Sequence, residues 1–205
     1  EFSRTTMEAL RQPIEDGKVT ISRAKISLSY PCSFMLIAAM NPCPCGYYPG
    51  PKCRCTDYEI IKYRGKISGP IMDRIDIQKS VHPVDFFGIN EKEPAMSSEQ
   101  IRKRVEGARK IQQERYADEE GINCNAQMST SLIQKYCVLD KPSLELLRVV
   151  SEEFGYSARV IHKLLRLART SADLDASENI RLEDVQAVLS CRDLDQSNSK
   201  MMVVK

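Results

Sequence analysis

The fold class is decided by the stretch Phe34-Met35-Leu36-Ile37-Ala38-Ala39-Met40-Asn41. Phe34 to Met40 is an unbroken apolar run of strand length, a pattern typical of a strand that is covered on both faces in a parallel sheet. Asn41 would then lie at the carboxyl edge of the sheet, where α/β proteins bind ligands. The run therefore predicts an α/β fold with a polar side chain at its ligand-binding edge.

The segments around this run predict further short elements. Helical spacing of Met7, Leu10 and Ile14 indicates a helix over residues 3–16. Alternating apolar and polar residues predict a β-hairpin with strands Lys18–Ser22 and Lys25–Tyr30 and a bend at Arg23-Ala24. Beyond the run we expect a loop rich in proline, glycine and cysteine, a helix from about Asp57 to Lys66, a break at Gly69-Pro70 and a strand near Ile75–Val81.

The pattern becomes purely helical after Pro94. A capped start at Ser97 or Ser98 predicts a long charged helix that reaches about Tyr116. Further helices are expected at about 129–136, 143–154, 157–174 and 182–191. We accordingly predict three parts: residues 1–90 with a cysteine-rich loop at 42–56, an all-helical domain at 97–192, and a tail at 193–205.

Composition excludes several classes of protein. Of 205 residues, 42% are apolar, and 30 basic side chains are nearly balanced by 28 acidic ones. The sequence contains no run of 18 apolar residues and no signal-peptide pattern, so we expect a cytoplasmic protein with no membrane contact. Residues 17–70 contain eight basic and two acidic side chains, an excess of positive charge that indicates a polyanionic partner.

Four cysteines form two close pairs, Cys43-Pro44-Cys45 and Cys53-Arg54-Cys55. Glycines and prolines between the pairs allow the chain to turn back, so that four thiolates can converge on one tetrahedral zinc ion. One-residue gaps are less common in zinc sites than two-residue gaps and strain chelation by a single metal. Reduced thiols or an oxidation-prone loop therefore remain alternatives to zinc.

Three polar residues have both a functional and a structural interpretation. Asn41 either contacts a ligand or simply caps a strand end before proline. Arg74 either reaches a ligand or pairs with Asp73 or Asp76. Arg159 either binds a ligand from the first turn of its helix or belongs to a solvated basic stripe with Lys163 and Arg166, which follow at helical spacing.

Several strings of this sequence resemble the magnesium-chelatase-like AAA+ ATPases, in particular their ComM/YifB competence-protein branch. The resemblance covers nearly the whole chain. It rests on Met7-Glu8-Ala9-Leu10-Arg11-Gln12-Pro13-Ile14-Glu15-Asp16-Gly17, Asn41-Pro42-Cys43-Pro44-Cys45-Gly46, the segment 68–77, Ser157-Ala158-Arg159, and Leu167-Ala168-Arg169-Thr170-Ser171-Ala172-Asp173-Leu174.

The resemblance implies a partial AAA+ core, a parallel sheet with helices, followed by an all-α lid. It implies ATP and Mg²⁺ as cofactors, with Asn41 as sensor 1, Arg74 as the arginine finger that acts on a neighbouring subunit, and Arg159 as sensor 2. The Walker A loop and the Walker B acidic pair are expected upstream of Glu1, so this chain alone should bind nucleotide weakly and be inactive.

The function that the resemblance implies is an ATP-driven motor, expected to be a hexameric ring, that acts on DNA in branch migration during natural transformation. Lys18, Arg23 and Lys25 on the hairpin would contact DNA, because the family carries a pore-facing insertion there; a solvated edge guarded by positive charge is the alternative. Two other functions stay open. One is a chelatase-type ATPase subunit that remodels a partner protein, and the other is a zinc-stabilised binding module without hydrolysis.

Overall fold

In a computed structural model of the chain, residues 2–24, 26–81 and 96–192 are described. They belong to two compact units, Glu1–Ile75 and Asp76–Lys205. Unit 1 combines helices with a small two-stranded sheet, and the described part of unit 2 is helical. Among the described helices none is both long and apolar enough to cross a membrane. The expected tail at 193–205 lies outside the described residues.

Unit 1 begins with two short helices, α1 (Arg4–Ala9) and α2 (Arg11–Asp16). The single helix expected over residues 3–16 is wrong in this detail, since it is interrupted at Leu10. Pro13 has no N–H to donate to Ala9, the residue four positions earlier, which explains why the hydrogen-bonded ladder does not continue there. Gly17 ends α2 with φ 62°, a left-handed conformation that turns the chain into the hairpin.

The predicted β-hairpin is confirmed, with strands β1 (Lys18–Arg23) and β2 (Ile26–Pro31). The strands pair antiparallel, from Lys18 opposite Pro31 to Arg23 opposite Ile26. Side-chain hydroxyls of Ser22 and Ser27 lie 3.0 Å apart across the ladder. The backbone N–H of Cys32 donates to Gly17 O at 2.7 Å, which closes the base of the hairpin.

The strand predicted at Phe34–Met40 is wrong. The described residues combine α-helices with β-strands, as predicted, but they do not show the expected parallel sheet. The segment 34–40 has no regular structure, and its apolar side chains are exposed, Met35 by 84% and Ile37 by 82%. A strand exists only where its backbone groups pair with a neighbour. Among the described residues, β1 and β2 pair with each other, and none forms a ladder with residues 34–40.

The remainder of unit 1 contains the cysteine loop, α3 (Asp57–Arg64) and α4 (Gly69–Met72). The helix expected at 57–66 is confirmed and starts with a capping box, because Thr56 and Glu59 satisfy each other's backbone N–H groups. Gly69-Pro70 begins a helical turn where a break was expected, since proline is tolerated in the first turn of a helix.

Unit 2 begins without the strand predicted near Ile75–Val81. The backbone N–H of Ile75 still closes the turn after α4, and only Gln78 makes a sheet-like contact, an isolated bridge to Arg192. The five helices expected after Pro94 are confirmed. They are α5 (Ser98–Arg115), α6 (Thr130–Tyr136), α7 (Lys141–Phe154), α8 (Ala158–Leu174) and α9 (Leu182–Leu189), with a 3₁₀ turn at Asn125–Gln127.

Helix α8 lies at the centre of unit 2 and packs against α5, α6, α9 and the 3₁₀ turn. Its buried face carries Val160, Leu164, Ala168 and Ala172, which recur at the spacing of an amphipathic helix. Residues of the neighbouring elements complete one hydrophobic core around it, among them Tyr116, Met128, Ile133, Leu147, Val185 and Val188. This core stabilises unit 2 by burying apolar side chains from most of its helices.

Candidate metal centre and nucleotide-sensing residues

The four cysteine sulphurs of the loop converge on one point. The ligand atoms of Cys43, Cys45, Cys53 and Cys55 all lie within 4.8 Å of one another. The Cys43 and Cys45 sulphurs each lie near that of Cys53, at 3.8 Å and 3.7 Å. Sulphurs at the corners of a tetrahedron around zinc are separated by about 3.8 Å, because a Zn–S bond is about 2.3 Å. The arrangement therefore fits a single tetrahedral ion, which the one-residue gaps had made doubtful.

Tight turns bring the two pairs together. Gly46 N–H donates to Cys43 O at 3.0 Å, and Cys53 N–H donates to Gly50 O at 3.0 Å. Gly46 has φ 83°, a left-handed conformation that residues with a side chain rarely adopt. Cys43 is fully buried, whereas the other three ligands are half-buried. The glycines of the loop thus form its turns, and the loop buries Cys43 and partly covers the other three cysteines. We name Cys43–Cys55 the cysteine knuckle.

A basic side chain that sequence analysis missed ties the knuckle to α3. Arg64 Nε donates to Pro42 O at 3.0 Å, and the Arg64 guanidinium lies 5.2 Å from the centre of the Tyr48 ring. The contact joins residues 22 positions apart. An arginine at the end of a short helix carries no sequence signal for this role, since the spacing depends on the path of the intervening loop.

The electrostatics of the knuckle favour a bound cation. Backbone N–H groups of Arg54 and Tyr47 lower the pKa of the Cys45 thiol to about 6. The backbone group of Cys45 favours the Cys55 thiolate, but burial and the nearby sulphurs of Cys45 and Cys43 outweigh it and raise the pKa of Cys55 to about 12. Four adjacent thiols cannot all ionise without a counter-charge, which a divalent metal supplies.

Asn41, the expected sensor 1, is exposed and lies directly before the knuckle. A Cβ placed on Gly46 would be 3.9 Å from the Asn41 carboxamide. The side chain therefore lies against the first turn of the knuckle, and Cys43 follows it by two residues. Whichever group Asn41 contacts, its position depends on the conformation of the cysteine loop.

Arg74, the expected arginine finger, lies just after α4. Its Nη1 donates to Pro70 O at 2.7 Å, and its Nη2 forms a salt bridge with Glu15 of α2. The Arg74 side chain is only 9% exposed. Sequence analysis weighed Asp73 and Asp76 as partners and missed Glu15, because nothing in the spacing links residues that lie 59 positions apart.

Arg159, the expected sensor 2, is exposed in the first turn of α8, which Ser157 caps. The alternative of a solvated basic stripe is wrong for its two helical neighbours. Lys163 forms a salt bridge with Asp76 at 2.7 Å, and Arg166 donates to the backbone oxygen of Met128. Both are half-buried, so that Arg159 is the exposed member of the three.

The hairpin residues Lys18 and Arg23 are exposed at opposite ends of β1, and Lys25 lies outside the described residues. Both strands expose nearly all of their side chains, and Val19 alone among the described strand residues is half-buried. The hairpin thus presents two open faces and at least two basic side chains.

Comparisons with known proteins place the chain in a family. Residues 1–87 match the family model "Magnesium chelatase, subunit ChlI", and residues 95–192 match "Magnesium chelatase, subunit ChlI C-terminal". The YifB protein of Salmonella typhimurium is 37% identical over 198 residues, which are 96% of this chain and 38% of that protein.

Two further relatives agree with this placement. The YifB protein of Escherichia coli is 36% identical over 198 residues, again 96% of this chain and 38% of the relative. "Competence protein ComM" of Haemophilus influenzae is 35% identical over 181 residues, 88% of this chain and 35% of the relative. The chain thus spans little more than a third of the length of these proteins. It belongs to the magnesium-chelatase-like family, among relatives that include YifB and ComM.

Proposed function

We propose that this chain is part of an ATP-driven, ring-forming AAA+ motor that acts on DNA, of the kind that drives branch migration in natural transformation. The observation that carries the proposal is the hairpin. It exposes both faces, and residues 17–31 contain basic side chains but no carboxylate. Exposed lysine and arginine suit the phosphate backbone of DNA, which every sequence presents alike. The relative ComM is named a competence protein, which supports the proposed role in natural transformation.

Nucleotide sensing is assigned to three residues. Asn41 would orient the water that attacks the γ-phosphate, Arg74 would approach the nucleotide of a neighbouring subunit, and Arg159 would close over the phosphates of its own subunit. ATP with Mg²⁺ supplies the phosphoryl group and the free energy for the motor. A ring of subunits, expected to be a hexamer, is the proposed assembly, because the proposed finger Arg74 would act on the nucleotide of a neighbouring subunit.

Zinc is the proposed ion of the cysteine knuckle, in a closed structural site with four thiolates. Such a site stabilises a loop that has too few apolar residues to form a core. Because Asn41 lies against Gly46, the metal would also keep the proposed sensor 1 in place.

The test is the steady-state ATPase of the intact protein with and without single-stranded and branched DNA, over a salt series. We expect strong stimulation by DNA that weakens as salt rises. The double variant Lys18→Ala/Arg23→Ala should lose most of the stimulation while basal turnover stays unchanged. Lys110→Ala, an exposed lysine of α5, is the matched control and should behave like the parent.

The finger assignment has its own test. Arg74→Ala should leave ATP binding near normal and reduce hydrolysis by about 10³-fold or more, as expected for loss of an arginine finger. Arg11→Ala removes another arginine of unit 1 that pairs with a carboxylate, Glu8, and should leave turnover unchanged. Turnover of Arg74→Ala within a few-fold of the parent would contradict the assignment.

A second function is a chelatase-type ATPase subunit that remodels a partner protein. The observation in its favour is that both family models describe magnesium chelatase subunits. Robust hydrolysis that is indifferent to DNA would favour it over the DNA motor. An intact protein without any ATPase activity would instead leave the zinc-stabilised binding module as the better description.

A further inference from the structure

The cysteine knuckle and α3 carry three successive pairs of an aromatic ring and a cation. Lys62 Nζ lies 5.9 Å from the Tyr58 ring centre, Lys66 Nζ lies 5.4 Å from that of Tyr63, and Arg64 lies over Tyr48. Cations at these distances are attracted by the negative face of the ring. Three such pairs lie within a segment of 19 residues, from Tyr48 to Lys66.

These pairs differ in what they contribute to the fold. Tyr48 and Arg64 are half-buried and tie the knuckle to the helix, as described above. Tyr58, in contrast, is 71% exposed, and Lys62 beside it is exposed as well. Ile60 is the buried residue of helix α3, so most of the Tyr58 ring is left to solvent. A second ring, Tyr47 on the knuckle, is 56% exposed.

The stretch of chain that carries these rings has an excess of exposed basic side chains. Lys52 and Arg54 are exposed on the knuckle, and Lys62 and Lys66 are exposed on the helix and just after it. The same stretch contains two carboxylates, Asp57 and Glu59. Glu59 is already engaged, because it accepts hydrogen bonds from Thr56 N at 2.8 Å and from Thr56 Oγ1 at 2.9 Å.

We propose that the knuckle and α3 form a binding surface for single-stranded nucleic acid, with Tyr58 as a stacking platform for a base and Lys62, Lys52 and Arg54 as contacts to phosphates. The inference rests on the proposed DNA motor and adds a second nucleic-acid site to it, separate in residues and chemistry from the hairpin. Bases stack on exposed aromatic rings without regard to sequence, while a basic surface follows the backbone. A duplex keeps its bases stacked inside, so the exposed rings favour a single strand.

Rigidity supports this assignment. Cys55 is followed directly by Thr56, the N-cap of α3, so no linker separates the metal-binding loop from the helix that carries Tyr58. Holding the ring and the lysines in place before binding reduces the entropy that an otherwise flexible loop would lose. An acidic partner protein would use the same positive charge, but it would not require a flat aromatic face.

The test is binding of a fluorescein-labelled oligothymidine by the intact protein, measured by anisotropy across a salt series. Tyr58→Ala should weaken affinity about tenfold, since stacking contributes about 1–3 kcal/mol per base. Tyr58→Phe should bind like the parent because it keeps the ring. Lys62→Ala should weaken binding a few-fold and reduce the salt slope by about 0.7, the value for one phosphate contact on a single strand.

Lys110→Ala, which removes an exposed lysine of α5 outside both proposed DNA sites, is the matched control for Lys62→Ala and should leave the affinity for oligothymidine unchanged. Equal zinc content in all variants would show that the knuckle remains intact. Parental affinity in both Tyr58→Ala and Lys62→Ala would overturn the inference. Loss of binding to an acidic protein with unchanged oligothymidine binding would overturn it as well and assign the surface to a protein partner.

The inference and the proposed function fail in different ways. DNA-stimulated hydrolysis together with parental affinity in the Tyr58 and Lys62 variants would leave the motor standing and reject this surface. Oligothymidine binding that depends on Tyr58 in a protein without ATPase activity would reject the motor and keep the surface. Absence of oligothymidine binding by the parent protein, together with hydrolysis that no DNA stimulates, would reject both.

Discussion

The interiors of units 1 and 2 differ in the residues that stabilise them. Helix α8 of unit 2 is surrounded by a continuous hydrophobic core, and the carboxylate of Asp173 is fully buried among polar partners. Buried hydrophobic residues in the described part of unit 1 are Cys43, Ile60 and Ile71, and its longest apolar run is exposed. The described part of unit 2 therefore has an apolar core of its own, whereas the described part of unit 1 has few buried apolar side chains and four cysteines that could hold a metal ion.

The buried polar cluster of unit 2 finds its hydrogen-bond partners within that unit. Asp173 accepts hydrogen bonds from Arg115 Nη1 at 2.8 Å, Arg169 Nε at 3.1 Å and Asn125 Nδ2 at 2.8 Å. Arg169 in turn donates to the backbone oxygens of Glu178 and Ser177. Each charge is paired and hydrogen-bonded, which is the condition for burial.

Removal of the proposed metal should produce the largest difference in stability between the two units. In the double variant Cys43→Ser/Cys45→Ser, zinc content should fall from one per chain to nearly none, with a loss of order 10 kcal/mol of binding free energy. Residues 42–56 should then exchange amide hydrogens faster, while α8 stays protected. Elemental analysis and hydrogen exchange measure the two effects. Cys124→Ser lies outside the cluster and serves as control; unchanged zinc in the double variant would rule the site out.

Asp173→Ala should have the largest effect within unit 2. Truncation leaves Arg115 and Arg169 without their common partner, and breaking a buried pair costs about 3–5 kcal/mol. Denaturant unfolding of the helical transition should show this loss, with zinc content unchanged. Asp175→Ala removes an exposed carboxylate nearby and should cost less than 1 kcal/mol. Similar losses in both variants would mean that the buried cluster does not hold unit 2 together.

Asp184, at the start of α9, adds a pH dependence to unit 2. Burial opposes ionisation of its carboxyl, but Arg181 and Ser171 outweigh it and lower the pKa. A group with a depressed pKa stabilises the fold above its unfolded pKa of about 4, and this stability is lost as pH falls through the folded value. Asp184→Asn should cost about 2 kcal/mol at pH 7 and less at pH 3.

The measurement for Asp184 is the free energy of unfolding of unit 2 between pH 3 and pH 7. Glu183→Gln, at a side chain that is 79% exposed, is the control and should leave the pH profile unchanged. An equal cost of Asp184→Asn at both pH values would show that ionisation of this carboxyl does not contribute.

Thr56→Ala should give the smallest effect. It tests, within unit 1, whether α3 and the cysteine knuckle are stabilised independently. Loss of the cap should destabilise α3 by about 1 kcal/mol. If the proposed zinc holds the preceding loop, zinc content should remain at the parental level while hydrogen exchange at the first turn of α3 accelerates. Thr56→Ser keeps the capping oxygen and should match the parent. Release of zinc by Thr56→Ala would mean that the helix start supports the knuckle.

Sequence patterns predicted unit 2 better than unit 1, for a physical reason. The helices of unit 2 bury one face, so their apolar spacing and their caps at Ser97, Ser129 and Ser157 report the structure locally. The apolar run at Phe34–Met40 indicates only that these side chains would be covered on both faces if the segment formed a strand. Pairing partners are not encoded in the run itself, and the described residues do not supply them.

The candidate site was predictable in its residues and less so in its contacts. The spacing of the four cysteines suggested a metal site, but convergence on one ion depends on the turns at Gly46 and Gly50. The roles of Asn41, Arg74 and Arg159 stay predictions, since their targets are a nucleotide and a neighbouring subunit.

The sequence by itself determined the helices of unit 2, the hairpin, the cysteine pairs and the family, because these depend on residues that are close along the chain. Only the tertiary structure decided that Arg74 pairs with Glu15, that Arg64 ties the knuckle to α3, and that Tyr58 faces solvent. These features join distant segments or depend on what covers a side chain. Local patterns carry no information about either, since chain folding brings such residues together through the path of every loop between them.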